Sequence, residues 1–177
     1  MIYYKYLDLD HTTVSNKIKN YFLNENPEFI SDNGQGSWRL APADIHEKVP
    51  ELKEFFKPLG LTIEFVGFFV SFKNESSIHI DNDEKPCRIN FPILNCDDTE
   101  TRYYKLKKVD YNTKSQKNGL TYKLLDKENC ELIDKFVLNK TVLMRVLEPH
   151  QVVINSDSFP RVSCTVQFTK DISYLLE

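Results

Sequence analysis

The sequence predicts a mainly β protein, a double-sheet jelly roll (double-stranded β-helix) with short N-terminal helices packed on one sheet. Three observations carry that prediction. Helical spacing of apolar residues is confined to the first 60 residues. From residue 61 onward, about eight short β-rich runs follow one another at close intervals. No repeat, linker or low-complexity segment interrupts them. The 177 residues therefore read as a single domain, 1–177, with a helical front end at 1–60 and a jelly-roll core at 61–170.

Residues Ile2–Leu7 alternate aromatic and polar side chains and suit a short edge strand. Asp10-His11-Thr12-Thr13 is a helix start, and behind it Val14, Ile18, Tyr21 and Phe22 fall on one helical face. Asn24–Ser37 is polar, with Pro27, Gly34 and Gly36, and reads as a loop leading to Trp38 and Arg39. Pro42-Ala43-Asp44 can open a second helix, which Pro50 interrupts. Pro50–Phe56 resumes as a short amphipathic helix that Pro58-Leu59-Gly60 ends. Strands are then expected at Leu61–Phe72, Ser76–Asp81, Cys87–Leu94, Thr101–Lys107, Leu120–Leu125, Thr141–Leu147, Gln151–Ile154 and Arg161–Phe168. Asn118-Gly119 supplies a hairpin turn. Such a set of short strands closes most simply as a jelly roll, with the helices on the outside of one sheet.

Composition narrows the function classes. A net charge of -3 gives no broad electrostatic grip on a nucleic-acid backbone. Lys105, Lys107 and Lys108 make only a small strip, the kind that protects a strand edge. Five glycines leave no room for extensive phosphate-cradling loops. The four cysteines, Cys87, Cys96, Cys130 and Cys164, include no CxxC pair, which argues against a zinc ribbon. The N-terminus has no apolar core of signal-peptide type, and no run approaches the length of a membrane span. The expectation is a cytoplasmic protein with reduced thiols and no membrane partner.

Two stretches can carry chemistry together. In Ile78-His79-Ile80-Asp81, side chains two apart on a strand point the same way, so His79 and Asp81 share a face. In Pro149-His150-Gln151, a second imidazole opens another strand. Two imidazoles and one carboxylate suit a non-haem Fe(II) centre with open positions. Alone, each element also fits a surface histidine or a turn aspartate. Asp81-Asn82-Asp83 is not a calcium loop, because Pro86 and Pro92 stand where the sixth-position Gly and twelfth-position Glu belong. After ten intervening residues beyond His150, Arg161 and Ser163 share a strand face and can bind a carboxylate by a guanidinium fork plus a hydroxyl. A solvated strand-edge arginine is the plain alternative.

Taken together, His79-x-Asp81, His150 and Arg161-x-Ser163 resemble the signature of the Fe(II)/2-oxoglutarate-dependent oxygenases. The signature spans residues 79–163, and the strand pattern extends the resemblance from about Leu61 to Phe168. It implies that His79, Asp81 and His150 ligate Fe(II). It also implies that Arg161, assisted by Ser163, pairs with the far carboxylate of 2-oxoglutarate, and that O2 is the co-substrate. Arg88 and Asn90, which share a face opposite Ile89, Phe91 and Ile93, are similarly placed to an arginine of the aspartyl/asparaginyl β-hydroxylase branch. There the arginine binds the near carboxylate of 2-oxoglutarate; the alternative here is that Arg88 and Asn90 face solvent. That branch lacks the carboxylate that Asp81 supplies, and no Asn-x-Tyr of the plant-type members precedes His79. The chain also lacks the long N-terminal extension of many members and reads as close to a minimal catalytic core.

The activity implied is hydroxylation of a C–H bond of a protein side chain, an amino acid or another small molecule, with release of succinate and CO2. Asp81 argues against a halogenase. Two alternatives stand beside it: a nucleic-acid-directed hydroxylase or demethylase, and a non-enzymatic metal-binding jelly-roll module. The prime substrate is not named by the sequence; the loops Asn24–Trp38, Asn82–Pro86 and Asp97–Thr101 are expected to rim the barrel mouth.

Overall fold

Alternation of side chains along the strands builds two antiparallel sheets of six strands each. The computed structural model describes residues 1–25, 37–41, 44–72, 74–108, 111–115, 121–155, 157 and 159–177, with backbone alone at 37–40 and 111–115. Most of the expected glycine loop, Pro42 and Ala43, Lys73, Asn118-Gly119 and the side chains of Trp38 and Arg39 lie outside that description.

The strands are β1 (Tyr4–Tyr6), β2 (Ser37–Leu40), β3 (Ile63–Ser71), β4 (His79–Asp81), β5 (Cys87–Leu94), β6 (Thr99–Leu106), β7 (Tyr111–Ser115), β8 (Thr121–Leu125), β9 (Cys130–Val137), β10 (Val142–Arg145), β11 (His150–Ile154) and β12 (Arg161–Phe168). One sheet runs β1-β10-β5-β12-β3-β2 and the other β7-β8-β4-β11-β6-β9. The chain crosses between sheets repeatedly, as a jelly roll requires. Strands β5 and β12 match their expected bounds at both ends.

Among the described residues, three α-helices lie before β3: α1 (Thr12–Glu25), α2 (Ile45–Lys48) and α3 (Pro50–Phe56). Their apolar residues Val14, Ile18, Tyr21, Phe22, Ile45, Leu52 and Phe56 form one core with Val66, Phe68 and Val70 of β3, Ile89, Phe91 and Ile93 of β5, and Val162, Cys164, Val166 and Phe168 of β12. This places the helices on the outer face of the first sheet. Gly60 ends the turn after α3 at φ 62, a left-handed conformation that costs a residue without Cβ little. A second apolar cluster fills the space between the sheets, from Cys96, Tyr103, Phe136, Leu138, Val142, Met144 and Val146.

The front end supplies both edges of the first sheet: β1, within the edge strand expected at Ile2–Leu7, and β2, which was not expected. The aromatic alternation at Tyr4 and Tyr6 serves the β1 edge. Both hydroxyls donate across to β9, to the carbonyls of Lys135 (3.2 Å) and Val137 (2.6 Å), so unpaired edge acceptors find partners. Strands β7 and β9 were also not expected. In β9, Glu131, Asp134 and Lys135 interrupt any clean alternation and Leu132 is 49% exposed, the signature of a solvated edge rather than a core strand. The expected strand Ser76–Asp81 shortens to β4, because Ser76 pairs instead with Val152 through both its backbone N–H and its hydroxyl.

Candidate metal and co-substrate site

Strand pairing assembles the metal cluster. His79 of β4 stands directly opposite His150 of β11 in the antiparallel register, so the two imidazoles share a face, with ring centroids 4.4 Å apart. Asp81, two residues beyond His79, joins them on that face. One ligand atom from each of His79, Asp81 and His150 lies within 4.8 Å of the other two. Asp81 Oδ1 is 3.5 Å from His79 Nε2.

The imidazoles are held in the tautomer a metal needs. His79 Nδ1 is 2.8 Å from the Ser77 carbonyl and His150 Nδ1 2.9 Å from the Glu148 carbonyl. A carbonyl only accepts, so each Nδ1 carries the proton and each Nε2 presents a lone pair. Burial, reinforced by the neighbouring His79, pushes the His150 pKa down to about 4, and the Asp81 carboxylate opposes this only in part. His150 is therefore neutral at physiological pH. Tyr103 walls the site, 6.2 Å from the His150 ring, with its hydroxyl donating to the Arg145 carbonyl at 2.9 Å. The donor set fits a hard or borderline divalent ion such as Fe(II), and three ligands leave part of its coordination sphere open.

The inward face of the opposite sheet is polar. On β12, the residues alternating with the apolar set are Arg161, Ser163, Thr165 and Gln167, all buried. Arg161 Nη1 donates to Ser163 Oγ at 3.0 Å, and its Nε is buried with no partner among the described residues. Asn90 stands opposite Thr165 in the β5–β12 register. Its Nδ2 lies 2.8 Å from Met144 Sδ, while its Oδ1 and Thr165 Oγ1 are buried with no partner among the described residues. Gly67 faces Thr165 from β3 and puts no side chain beside it. A buried guanidinium with an unused N–H, next to a hydroxyl, is the donor set a carboxylate accepts.

Arg88 lies on this same inward face, and its 4% exposure removes it from solvent. Its partners are protein groups. Nη1 is 3.3 Å from Asp81 Oδ2, Nε donates to Asp83 Oδ2 and Gln167 Oε1 at 3.1 Å each, and Nη2 donates to Asp83. Asp83 and Gln167 are the residues the sequence reading missed. Gln167 was findable, since it continues the Arg161, Ser163, Thr165 alternation; Asp83 sits in a loop whose composition marks nothing. The stretch Asp97–Thr101, expected as a mouth loop, is largely strand, since β6 begins at Thr99 and both Thr99 and Thr101 are buried. His11 and His46 stand apart from the cluster, as expected. All four cysteines are buried and unpaired in disulfides; burial pushes Cys87 up to about 11, which keeps it an unreactive thiol.

No family model matches the sequence, and no curated protein matches it. Solved structures do resemble the fold. The epimerase SnoN, in complex with Fe3+, α-ketoglutarate and nogalamycin RO, matches with TM-score 0.54 and 9% identity, over 92% of this chain and 77% of that one. A prolyl-4-hydroxylase from Pseudomonas putida gives TM-score 0.49 and 13% identity, over 93% and 90%. The E. coli protein ycfD gives TM-score 0.47 and 14% identity over 78% of this chain, which spans 34% of its length. At such identities the likeness is one of fold. No helix among the described residues is long and apolar enough to cross a membrane.

Proposed function

We propose that this chain is an Fe(II)- and 2-oxoglutarate-dependent oxygenase that hydroxylates a C–H bond of a protein side chain, an amino acid or another small molecule. The single observation that carries the reading is a buried guanidinium, Arg161, whose Nε has no partner among the described residues, on the sheet facing a two-histidine, one-aspartate cluster in which His150 is buried and His79 and Asp81 are half-buried. In this reading His79, Asp81 and His150 hold the metal, and Arg161 with Ser163 binds the far carboxylate of 2-oxoglutarate. Iron would supply the dioxygen chemistry that amino-acid side chains lack. The protein's own part is placement: His150, kept neutral, stays available as a ligand, and buried Tyr103 walls its side of the site. SnoN, which has a similar fold, binds Fe3+ and α-ketoglutarate, and this supports the assignment. Asn90 and Thr165, with unpaired polar atoms between the two ends, are assigned to the co-substrate cradle. A cytoplasmic location and a substrate other than nucleic acid complete the proposal, the latter on the net charge of -3.

The test is succinate formation from 2-oxoglutarate with Fe(II) and O2, measured against pools of peptides, free amino acids, other small metabolites and oligonucleotides. The expected result is stimulation by one of the first three pools and none in His79→Ala. Stimulation by oligonucleotides alone moves the assignment to the nucleic-acid reading. No succinate with any pool or without one leaves a metal-binding jelly-roll module.

A further inference from the structure

The two oxygens of the Asp81 carboxylate have different neighbours. Oδ1 lies beside His79 Nε2 at 3.5 Å, on the side of the ligand cluster. Oδ2 lies 3.3 Å from Arg88 Nη1. Arg88 is not free to swing toward anything else. Asp83 and Gln167 take its Nε, Asp83 also takes Nη2, and the guanidinium lies 5.4 Å over the Phe65 ring. Those partners are themselves fixed. Asp83 Oδ1 accepts from the backbone N–H groups of Glu84 (2.7 Å) and Lys85 (3.3 Å), and Gln167 Nε2 donates to Glu64 at 3.2 Å.

We infer that Arg88 is a positioning residue for the metal, a role that rests on the metal-site reading above. It holds Oδ2 of Asp81 so that the carboxylate offers the ion one oxygen rather than two. Carboxylates bind divalent ions through one oxygen or both. Three single-atom protein ligands leave three of an octahedral ion's positions free; a two-oxygen Asp81 leaves only two. A 2-oxo acid chelate takes two positions, so the third exists only while Asp81 stays on one oxygen. The resemblance gave Arg88 to the near carboxylate of the co-substrate. The geometry points elsewhere, because two aspartates and a glutamine already occupy its guanidinium.

Co(II) titration of the metal-free protein tests this, because the visible bands of Co(II) report coordination number directly, which loss of general stability does not alter. Arg88→Gln is expected to bind Co(II) about tenfold or more weakly, with bands shifted in position and intensity from wild type. Arg88→Lys is expected to restore most of the wild-type spectrum. Should Arg88→Gln fail to fold, Asp83→Asn provides the second variant: it removes an anchor of Arg88 without touching the ligand cluster and is expected to shift the bands in the same direction. A folded variant with wild-type Co(II) affinity and spectrum overturns the inference. So does one whose 2-oxoglutarate binding falls while Co(II) binding does not, which returns Arg88 to the co-substrate. If wild type itself binds no Co(II), or His79→Ala binds it equally well, the metal reading fails instead, and the two failures are distinguishable.

Discussion

The outward face of β12 carries Val162, Cys164, Val166 and Phe168, and the inward face of the same strand carries Arg161, Ser163, Thr165 and Gln167. Both faces are buried. The outward one joins residues of α1 and α3 in one hydrophobic core, and its contribution is chiefly transfer of hydrocarbon from water. The inward one buries a guanidinium, two hydroxyls and an amide. Among the described residues six buried side-chain polar atoms lack a partner, and three of them, on Arg161, Thr165 and Asn90, lie along this one surface. An unsatisfied buried polar atom costs about 1–3 kcal/mol. That cost is concentrated on the inward surface of β12 and β5, while the outward face of β12 packs without it, which is why the inward surface is proposed as a binding site.

Substitutions on the two faces should therefore fail in opposite ways. The largest effect is expected outside. Phe68 sits at the centre of the helix-covered face, 1% exposed and 4.9 Å from the Phe22 ring. Phe68→Ala should cost about 3–5 kcal/mol of stability, read by chemical denaturation. An unchanged midpoint would mean that the helices do not form a common core with the sheet.

The next effect is a pH dependence belonging to the inner site. The folded pKa of His150, about 4, lies below its ordinary value of 6.5, so the native state takes up this proton later than the unfolded chain does. Its contribution to stability is present above pH 6.5 and is lost as pH falls toward 4. At about 1.4 kcal/mol per unit, the full window is on the order of 3 kcal/mol. The metal-free wild type should lose that much more than His150→Asn over the interval, in paired melts. Parallel pH profiles would place His150 in contact with water.

The smallest effect sharpens the contrast. Thr165→Val removes an unpaired hydroxyl from the inward face without changing side-chain volume much. Stability should stay level or rise by up to ~1 kcal/mol, while 2-oxoglutarate binding measured by calorimetry weakens. Lower stability with unchanged binding would make Thr165 an ordinary packing residue.

Much of this was legible in the residue order, and the parts that were not have physical reasons. Alternation along β5 and β12 separates Ile89, Phe91 and Ile93 from Arg88 and Asn90, so the buried strands and their two faces follow from period two alone. The helical spacing of Val14, Ile18, Tyr21 and Phe22 likewise gives the buried face of α1. Edge strands escape the same reading. In β9 one side is wet, and Glu131, Asp134 and Lys135 occupy positions that a central strand would fill with apolar groups. At the site, the cluster of His79, Asp81 and His150 is readable because each residue has chemistry of its own. The role of Arg88 is not, because it depends on Asp83, a loop residue whose direction only the folded chain fixes.

The inward face of β12 is proposed to read a 2-oxo dicarboxylate against a metal held by His79, Asp81 and His150. Anaerobic addition of Fe(II) and then 2-oxoglutarate to the metal-free protein, followed in the visible range, tests it most directly. Wild type should develop the weak charge-transfer band of the chelate. Arg161→Ala should keep its iron but need at least about 30-fold more 2-oxoglutarate for the same band, corresponding to a loss on the order of 2–5 kcal/mol. No band in wild type, an undiminished band in His79→Ala, or an unchanged titration in Arg161→Ala would contradict it.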